Sequence, residues 1–475
     1  MTVTNAATEP AAVVPDRPSG LRRPGAWPVL LASFVGQFLV VLDISVVNVA
    51  LPSMRDDLHL TSSSLQWVVN GYAVTFAGFL LLGGRLSDLL GSKRIYLAGL
   101  ALFSAASLAG GLAQDGGTLI AARAAQGVGA ALLAPVTLSL LTSTFPEGAA
   151  RTRAIAVWTA VGAGGGATGG LIGGALTDYA SWRWVLLINV PIGLLVGLVV
   201  LLRLREPRTG ADRPGLDLPG AVLVTAGVAA VAYGIGETES AGWTTAEALV
   251  PILGGLAALG AFVAVEARSR HPLMPLRLFR VRSVAVGNLV TLVSMVGAFA
   301  MWYFLTLYMQ NVLDYSAVRT GVAFLPHTAA VIIGSQLAAP LMARLGSRVL
   351  TVLGGLLTAG GFLWQSAVLD ADGTFLSAIL GPAVPMAAGT AVLMTSLTDT
   401  ATTGVAKADG GGVSGLVNTS RQMGAVLGLS VLGAFATSGA AGTGPEAGYA
   451  DAFLAGGLIT LVALLLVPLL PRARR

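Results

Sequence analysis

Two charged side chains lie deep within long apolar stretches of the sequence. Asp43 belongs to the run Val-Leu-Asp-Ile-Ser-Val-Val-Asn-Val-Ala-Leu-Pro at 41–52, and Arg123 to Leu-Ile-Ala-Ala-Arg-Ala-Ala-Gln-Gly at 119–127. An ionised residue at the centre of a membrane helix costs about 2.5–3.5 kcal/mol on insertion scales, so it normally faces a partner or a water-filled cavity. Burial and a neighbouring guanidinium change the proton affinity of a carboxylate in opposite directions. We therefore predict a proton-coupling site of Asp43 and Arg123; a static ion pair that fixes helix packing is the alternative.

A second group of polar and aromatic residues has the types that bind an amphipathic small molecule. Gln126 lies one turn beyond Arg123 and is suited to substrate or to a hydrogen bond between helices. Arg421 could bind an anionic group, form an ion pair with Glu266 or extend its charged end to the membrane surface. His327 could bind substrate or form a structural hydrogen bond. Aromatic rings line adaptable cavities but also form belts at membrane interfaces. The predicted substrate-binding residues are Gln126, Trp158, Trp302, Tyr303, His327, Asn418, Arg421 and Gln422.

Two glycine-containing segments are candidates for gating. The first, Gly-Arg-Leu-Ser-Asp-Leu-Leu-Gly-Ser-Lys-Arg at 84–94, is expected to be a loop, and its acid is not explained by membrane orientation. An acid there stabilises a helix N-terminus or pairs with arginine, and so latches one conformation. The second segment is 162–174, whose glycines let another helix pack closely and slide against it. Tight packing without functional motion is the alternative. The predicted gating residues are Gly84, Asp88, Gly91, Lys93, Arg94, Gly165, Gly169 and Gly173.

The composition indicates that these residues act within lipid. Of 475 residues, 55% are hydrophobic and 11% are charged, and the mean hydropathy is +0.79. A water-soluble domain has roughly 25% charged residues. The sequence has no Cys and only three scattered His, so it offers no metal site. It also lacks the nucleotide-binding pattern Gly-x-x-x-x-Gly-Lys-[Ser/Thr] and any nucleophile–base set. We expect neither an enzyme nor a cofactor.

Fourteen apolar runs are long enough to cross a bilayer as helices, which takes about 20 residues each. Charged or Gly/Pro-containing breaks separate them. The predicted fold is an all-α polytopic membrane protein with helices at 27–50, 64–83, 94–113, 118–143, 154–177, 184–203, 217–236, 246–266, 283–309, 319–342, 348–368, 374–398, 411–437 and 450–470.

The distribution of Lys and Arg supports this count and orients the helices. With both termini cytoplasmic, 23 of the 28 basic residues fall on the cytoplasmic side, three outside and two within helices. A missed helix would reverse every later loop and destroy the asymmetry. The net charge of +5 is thereby explained without a nucleic-acid partner. We predict a multi-pass protein of the cell membrane.

Two long basic loops, 203–217 and 266–282, bracket helices 7 and 8 and leave six helices on either side. A weak repeat relates these two groups, because Gly346 in 340–348 aligns with Gly91 and places Ala343 opposite Asp88. Repeated halves that face a midplane site are typical of secondary transporters. The predicted organisation is a disordered cytoplasmic tail (1–25), an N-terminal six-helix bundle (26–205), a linker with helices 7 and 8 (206–282) and a C-terminal six-helix bundle (283–475).

These motifs resemble those of the major facilitator superfamily, and within it the fourteen-span drug:proton antiporters of the EmrB/QacA type. Segment 84–94 is similar to the superfamily's loop motif, 41–52 to an antiporter signature with Ser45 in place of Thr, and 123–127 to Arg-x-x-Gln-Gly. The run Trp-Arg-Trp-Val-Leu-Leu-Ile-Asn-Val-Pro-Ile-Gly at 182–193 resembles the opening of helix 6 in these exporters. The resemblance implies two rocking bundles with helices 7 and 8 between them. It also implies that Asp43 and Arg123 handle the proton and that Asp88 stabilises the outward-open form.

The sequence departs from the family pattern at two places. Gly169-Gly170 stands where the helix 5 antiporter motif has Gly-Pro, so a kink there must come from glycine flexibility. Helix 10 carries His327 and no acid, which makes dicationic substrates less expected than monocationic, neutral or zwitterionic ones. We predict proton-coupled export of amphipathic small molecules by a monomer in the bilayer. A dedicated exporter of a single self-made metabolite is the alternative, and a proton-coupled importer is less favoured.

Overall fold

The computed structural model describes residues 26–145, 149–204, 217–269, 272–402, 410–440 and 444–470, which form helices joined by short turns. The predicted tail, 1–25, lies outside the described residues. We number the helices α1–α14 in chain order and count two adjoining helical segments as one helix. α6 and α10 each consist of two such segments, and α12 begins with a π-helical turn.

Six helices form the first half of the chain, two follow, and six form the second half. The first six are α1 Trp27–Leu58, α2 Ser62–Leu90, α3 Ser92–Gly111, α4 Gly116–Thr144, α5 Ala149–Tyr179 and α6 Trp184–Arg203. The next two are α7 Leu218–Ala241 and α8 Ala246–Arg268. After a 3₁₀ turn, Leu276–Arg280, come α9 Arg282–Asn311, α10 Ala317–Leu345, α11 Ser347–Val368, α12 Phe375–Thr402, α13 Gly410–Ala440 and α14 Pro445–Leu464.

Thirteen of the described helices have the length and hydropathy of membrane spans. The remaining one, α13, is 31 residues long but carries Asn418, Arg421 and Gln422. It packs among α2, α7, α9 and α14, so its neighbours shield its polar residues from lipid. The predicted all-α fold with fourteen helices is therefore confirmed.

The two halves repeat the same internal packing. In the first half α1 packs against α4 and α5, and α4 against α2 and α3. In the second half α9 packs against α12 and α13, and α12 against α10 and α11. The two most extensive contacts between the halves, α2 with α13 and α5 with α10, are equivalent under this repeat.

The two additional helices, α7 and α8, form a hairpin on the side of the molecule. α7 packs against both α2 and α13, at the line where the two halves meet. Val74 of α2, Val228 of α7 and Val426 of α13 form the apolar centre of this contact. The hairpin is thus attached to both halves through α7.

The segment 84–94 is mostly helical, which corrects the expectation of a loop. α2 continues to Leu90 and α3 begins at Ser92, so Gly91 alone makes the turn. Gly91 has a φ of 94°, a left-handed conformation that glycine adopts without steric cost. Gly346, its counterpart between α10 and α11, has a φ of 81°. The alignment of these two glycines therefore corresponds to equivalent one-residue turns.

One end of the molecule, where α1 and α5 end and α10 begins, is closed by contacts between the halves. Gln310 donates to the carbonyl of Val49 at 2.8 Å, and Arg55 donates to Asn311 at 3.2 Å. An apolar cluster drawn from both halves, including Leu51 of α1, fills the space beside these bonds. We call this end the closed end.

Glycines bring α5 and α10 into backbone contact at the closed end. A Cβ added at Gly174 would lie 2.5 Å from the carbonyl oxygen of Ala317 and 2.7 Å from Cα of Val318. Gly170 lies against Gly321 in the same way, with 3.4 Å between its ideal Cβ position and Cα of Gly321. α5 contacts the first segment of α10 closely and the second only sparsely, so the two helices diverge toward the other end.

Candidate functional site

The buried charges of α1 and α4 form an ion pair. Nη1 of Arg123 lies 2.5 Å from Oδ2 of Asp43. The Asp43 side chain has no exposed surface, and that of Arg123 is 2% exposed. At such close range and away from water, removing either charge would leave its partner uncompensated, which is costly.

Three further side chains complete a hydrogen-bonded network around the carboxylate. Gln126 donates to Oδ1 of Asp43 at 3.0 Å, and Asn189 of α6 donates to the same oxygen at 2.8 Å. Gln126 also donates to Ser107 of α3 at 2.6 Å and accepts from Arg123 at 2.7 Å. Asp43 thus accepts three hydrogen bonds from two other helices, and all of them suit an ionised carboxylate.

The guanidinium of Arg123 is attached to α2 as well as to Asp43. Its Nε donates to the carbonyl of Val68 at 3.1 Å, and its Cζ lies 4.5 Å from the centre of the Tyr72 ring. α2 in turn contacts the other half, because Asn70 donates to Ser430 of α13 at 3.1 Å. A change in the ion pair therefore acts directly on a helix that lies between the halves.

A small cavity adjoins the ion pair on the side of the second half. It is lined by Arg123, Asn48 and Tyr72 from the first half and by Gln422 and Ala425 of α13. The cavity has room for about one water molecule. Gln422 is thus the one predicted substrate residue of α13 that borders the same space as Arg123 among the described residues.

Arg421 lies beside this cavity without an ion pair in the part of the chain that the structure describes. Successive helical residues are about 100° apart. Gly424 and Ala425, three and four residues after Arg421, lie on the same side of the helix as Arg421. Gly424 faces α9 and Ala425 lines the cavity, so Arg421 points between α9 and the cavity. Its side chain is exposed, although it begins about 16 Å along α13. Glu266, considered as its partner, accepts a hydrogen bond from the backbone of Met274 instead.

The aromatic candidates do not form one site. Trp302 stacks on Phe324 with 4.4 Å between ring centres and meets His327 edge-on at 4.8 Å. Nδ1 of His327 is buried and has no hydrogen-bond partner. Tyr303, also buried, belongs to the apolar cluster of the closed end.

The remaining aromatic candidate, Trp158, lies in the first half. Its indole N–H donates to Thr137 at 3.1 Å, and its ring packs against the apolar core of that half. The structure therefore brings Gln126 to the ion pair and Gln422 to the adjoining cavity, and it places Trp158 apart from both.

The predicted gating residues fall into two groups. Around the turn at Gly91, Lys93 donates to the carbonyl of Leu201 at 2.8 Å, Arg94 is exposed, and Gly84 faces Pro135 of α4. The side chain of Asp88 lies outside the described residues.

The α5 glycines predicted to act in gating pack within the first half. A Cβ atom added at any of the three would meet α1. At Gly165 it would meet Phe38 and Leu42, at Gly169 it would meet Ser45, and at Gly173 it would meet Val46. The α5 glycines that contact the other half are Gly170 and Gly174, one position further along the helix.

Two members of the ion-pair network were missed by the sequence reasoning. Asn189 lies five residues after the start of α6, about 8 Å along it, just as Arg123 lies five residues after the predicted start of helix 4 at 118. A single amide in an apolar run at that depth is the feature of the sequence that could have predicted its place in the network. Ser107 is one of many small residues in α3 and carried no comparable signal.

Within the described residues no group of three or more His, Cys, Asp or Glu could hold a metal ion. The fold and site define a multi-pass helical membrane transporter with two related halves, the first of which contains a buried ion pair. Residues 33–429 match the Major Facilitator Superfamily, and the chain belongs to that family.

Relatives with known names extend along most of the chain. It is 47% identical to the cephamycin export protein CmcT of Amycolatopsis lactamdurans, over 94% of this chain and 93% of that protein. It is 41% identical to the puromycin resistance protein pur8 of Streptomyces alboniger, over 89% of this chain and 86% of that protein.

Solved structures of low sequence identity share the fold. A bacterial homologue of the human lysosomal transporter Spinster, in an inward-facing and unoccupied conformation, matches with a TM-score of 0.66 and 18% identity, over 94% of this chain and 98% of that one. A D-xylose-proton symporter matches with a TM-score of 0.67 and 13% identity, over 94% and 99%.

Proposed function

We propose that this chain exports amphipathic small molecules of the antibiotic type in exchange for protons, by alternating access. The observation that carries the proposal is the buried pair of Asp43 and Arg123, joined through α2 to the contact between the halves. Relatives named for cephamycin export and puromycin resistance support the direction and the class of substrate. In the fourteen-span antiporters that the motifs resemble, the same positions handle the proton.

Protonation of Asp43 is the step that couples the proton to movement. A neutral carboxyl no longer balances Arg123, and it offers fewer acceptor sites to Gln126 and Asn189. The guanidinium then keeps its bonds to α2, at Val68 and Tyr72. The release of α1 from α4 at this point changes the contact between α2 and α13. This change favours the alternative conformation, in which the two halves are oriented differently.

Substrate binds between the halves, where the small cavity bordered by Gln422 and Arg123 widens when the halves move apart. Asn418 and Arg421 lie on the same side of α13 and extend this polar surface. The cavity is lined by no acidic residue among the described ones, so monocationic, neutral or zwitterionic molecules are favoured over dications. Substrate and proton exclude each other, because substrate contacts Arg123 and protonation of Asp43 changes the position of Arg123.

In this proposal both termini lie in the cytoplasm and the closed end lies outside, and the positions of Lys and Arg support this orientation. The described conformation is then closed to the exterior, with α5 and α10 apart on the cytoplasmic side. The protein acts as a monomer in this proposal, because each chain contains both halves of the transport pathway.

The proposal is tested with the purified chain in liposomes. With an imposed pH gradient, a transported compound such as puromycin is expected to accumulate in the acidic interior, and its addition at equilibrium is expected to release protons. A proton-coupled importer would move the proton and the compound in the same direction. Accumulation that is unaffected by an uncoupler would remove proton coupling from the proposal.

The breadth of the substrate range separates a multidrug exporter from a dedicated one. A host that expresses the chain is compared with an empty host on a panel of unrelated antibiotics, with and without an uncoupler. Protection against several chemical classes supports a multidrug exporter. Protection against one compound alone supports a dedicated exporter of a single metabolite.

Asp178 at the end of α5 is predicted to latch the closed end. Its carboxylate accepts hydrogen bonds from the backbone N–H groups of Ala317 and Val318, at 3.1 and 2.9 Å, and thereby caps α10 of the other half. The loss of such a cap costs about 0.5–2 kcal/mol. Asp178→Ala is therefore expected to shift the population about two- to thirtyfold toward the state that is open at this end.

The shift is measured through cysteine reactivity, which has no background because the chain contains no Cys. A cysteine at Leu51, which is buried at the closed end, is expected to react faster with a polar thiol reagent in Asp178→Ala. Asp57→Ala is the control, since Asp57 pairs with Arg183 within one half. Equal reactivity in the two variants would contradict the latch.

A further inference from the structure

Two acidic side chains meet at the base of the α7–α8 hairpin, at the end of the molecule opposite the closed end. Asp217 is 5% exposed and Glu266 is 3% exposed. Oδ1 of Asp217 accepts from the backbone N–H of Gly220 at 2.8 Å and so caps α7. Oε2 of Glu266 accepts from the backbone N–H of Met274 at 3.0 Å.

The two carboxyl groups converge on the space left by Gly220. A Cβ added at Gly220 would lie 3.0 Å from Oε1 of Glu266 and 3.0 Å from Oδ1 of Asp217. These two oxygens are therefore at most about 6 Å apart, a range at which like charges repel strongly when they are buried. The glycine permits this approach, because a larger residue would fill the gap.

Each carboxyl group has one buried oxygen without a partner. Oδ2 of Asp217 and Oε1 of Glu266 make no hydrogen bond. Two ionised carboxylates can only accept hydrogen bonds, so they cannot satisfy each other unless one of them carries a proton. Leaving both oxygens ionised and unpaired would incur the desolvation cost of two buried charges.

The basic residues that the structure describes in the surrounding elements do not neutralise the pair. The described ones are Arg85 on α2, Arg268 on α8, and Arg277 and Arg280 in the 3₁₀ turn before α9. None of them forms an ion pair with Asp217 or Glu266. The apolar side chains of Leu82, Ala221 and Leu273 cover this region instead.

We propose that Asp217 and Glu266 form a second proton-binding site, in which the two neighbouring carboxyl groups together hold one proton and one negative charge. The site joins the start of α7 to the end of α8 and, through Met274, to the segment that leads into α9. Because α7 packs against both α2 and α13, this site controls how firmly the hairpin is held against the two halves. It is separate from Asp43 and does not depend on the transport proposal.

The experiment follows thermal unfolding of the purified full-length chain from mildly acidic to mildly alkaline pH. The unfolding midpoint of the wild type is expected to fall as the bound proton is lost, since two buried carboxylates then repel. Glu266→Gln and Asp217→Asn each replace one carboxyl by an amide of the same shape that donates a hydrogen bond to the other. Each is expected to fold at acidic pH and to lose the fall at alkaline pH.

The control is Glu247→Gln, the same substitution at an exposed position of the same helix. It is expected to keep the pH dependence of the wild type. The proposal is overturned if the amide variants keep that dependence too, or if neither of them folds at acidic pH, because both charges would then be required. Stabilisation at alkaline pH by sodium instead of by protons would assign the site to a metal ion and also overturn it. No transport is measured, so the result is independent of the export proposal.

Discussion

Asp43→Asn is expected to abolish the accumulation of substrate against its concentration gradient. Asparagine keeps the size of the side chain and an oxygen that accepts from Arg123, but it cannot bind or release a proton in this range. Liposomes with an imposed pH gradient and the variant are expected to accumulate substrate no better than empty liposomes. The quantity measured is the ratio of substrate concentration inside to outside.

The size of the expected loss follows from the energy of the proton gradient. One proton supplies about 2.3 kcal/mol per 100 mV and about 1.4 kcal/mol per pH unit. A modest gradient therefore supports concentration ratios from about tenfold to a few hundredfold in the wild type. The whole of this ratio is expected to disappear in the variant, which makes the effect large compared with experimental scatter.

The control for this variant is Asp56→Asn, the same substitution on the same helix. Asp56 is 71% exposed and pairs only with its neighbour Arg55 in the described structure. Its replacement is expected to leave accumulation unchanged. Undiminished accumulation in Asp43→Asn would remove Asp43 from the coupling mechanism.

A double variant separates proton coupling from a purely static ion pair. In Asp43→Asn combined with Arg123→Gln, neither buried charge remains, and the two amides can hydrogen-bond to each other. If the pair only fixed the packing of α1 on α4, this variant would recover both stability and transport. We expect it to recover the thermal stability lost in Asp43→Asn but no gradient-driven accumulation.

The proximity of Asp43 and Arg123 could be predicted because lipid fixes the ends of apolar helices. The sequence predicts that helix 1 ends at 50 and that helix 4 begins at 118. With a rise of 1.5 Å per residue, these ends put Asp43 and Arg123 about 8–10 Å from the same membrane face. The structure pairs them at 2.5 Å. Their role in moving protons is a prediction that the geometry supports and that transport measurements decide.

The rotation of the helices about their axes could not be predicted in the same way. A helix in a soluble protein has one apolar side, which indicates the direction of the core. In α5, glycines occur on several sides and the remaining residues are mostly apolar. The sequence therefore did not distinguish Gly169, which packs on α1, from Gly170 and Gly174, which pack on the other half.

The exact ends of the helices were also beyond the sequence pattern. An apolar run reports the thickness of the hydrocarbon layer, whereas backbone hydrogen bonding continues a helix through polar residues as well. α1 was expected to end at 50 and continues to Leu58, and 84–94 was expected to be a loop. Only the left-handed conformation of Gly91 interrupts the helical path there.

Gly174→Val is expected to prevent closure at the closed end and thereby to stop transport. The added Cβ would lie 2.5 Å from the carbonyl oxygen of Ala317, and this neighbour is backbone that cannot rotate away. Overpacking of this kind costs about 1–3 kcal/mol. Because the contact lies between the halves, α5 and α10 can relieve it by moving apart. We therefore expect the variant to fold and to shift about five- to 160-fold toward the state open at this end.

The matched control is Gly164→Val, the same substitution on the same helix. A Cβ at Gly164 would have no atom within 4 Å, so both variants change the helix propensity alike but only one meets α10. Gly169→Val is a second comparison, because its Cβ would lie 2.5 Å from that of Ser45 within the first half. We expect it to lower thermal stability and not to change the balance between the two states.

The distance across the closed end provides the measurement. Spin labels on cysteines introduced near the end of α5 and the start of α10 report whether these helices separate, and the Cys-free chain contributes no other label. A longer distance in Gly174→Val than in Gly164→Val, together with lost accumulation, is the expected result. If Gly174→Val leaves the distance unchanged and still transports, close approach of α5 and α10 is not a step of the cycle. The glycines of α5 would then serve packing alone.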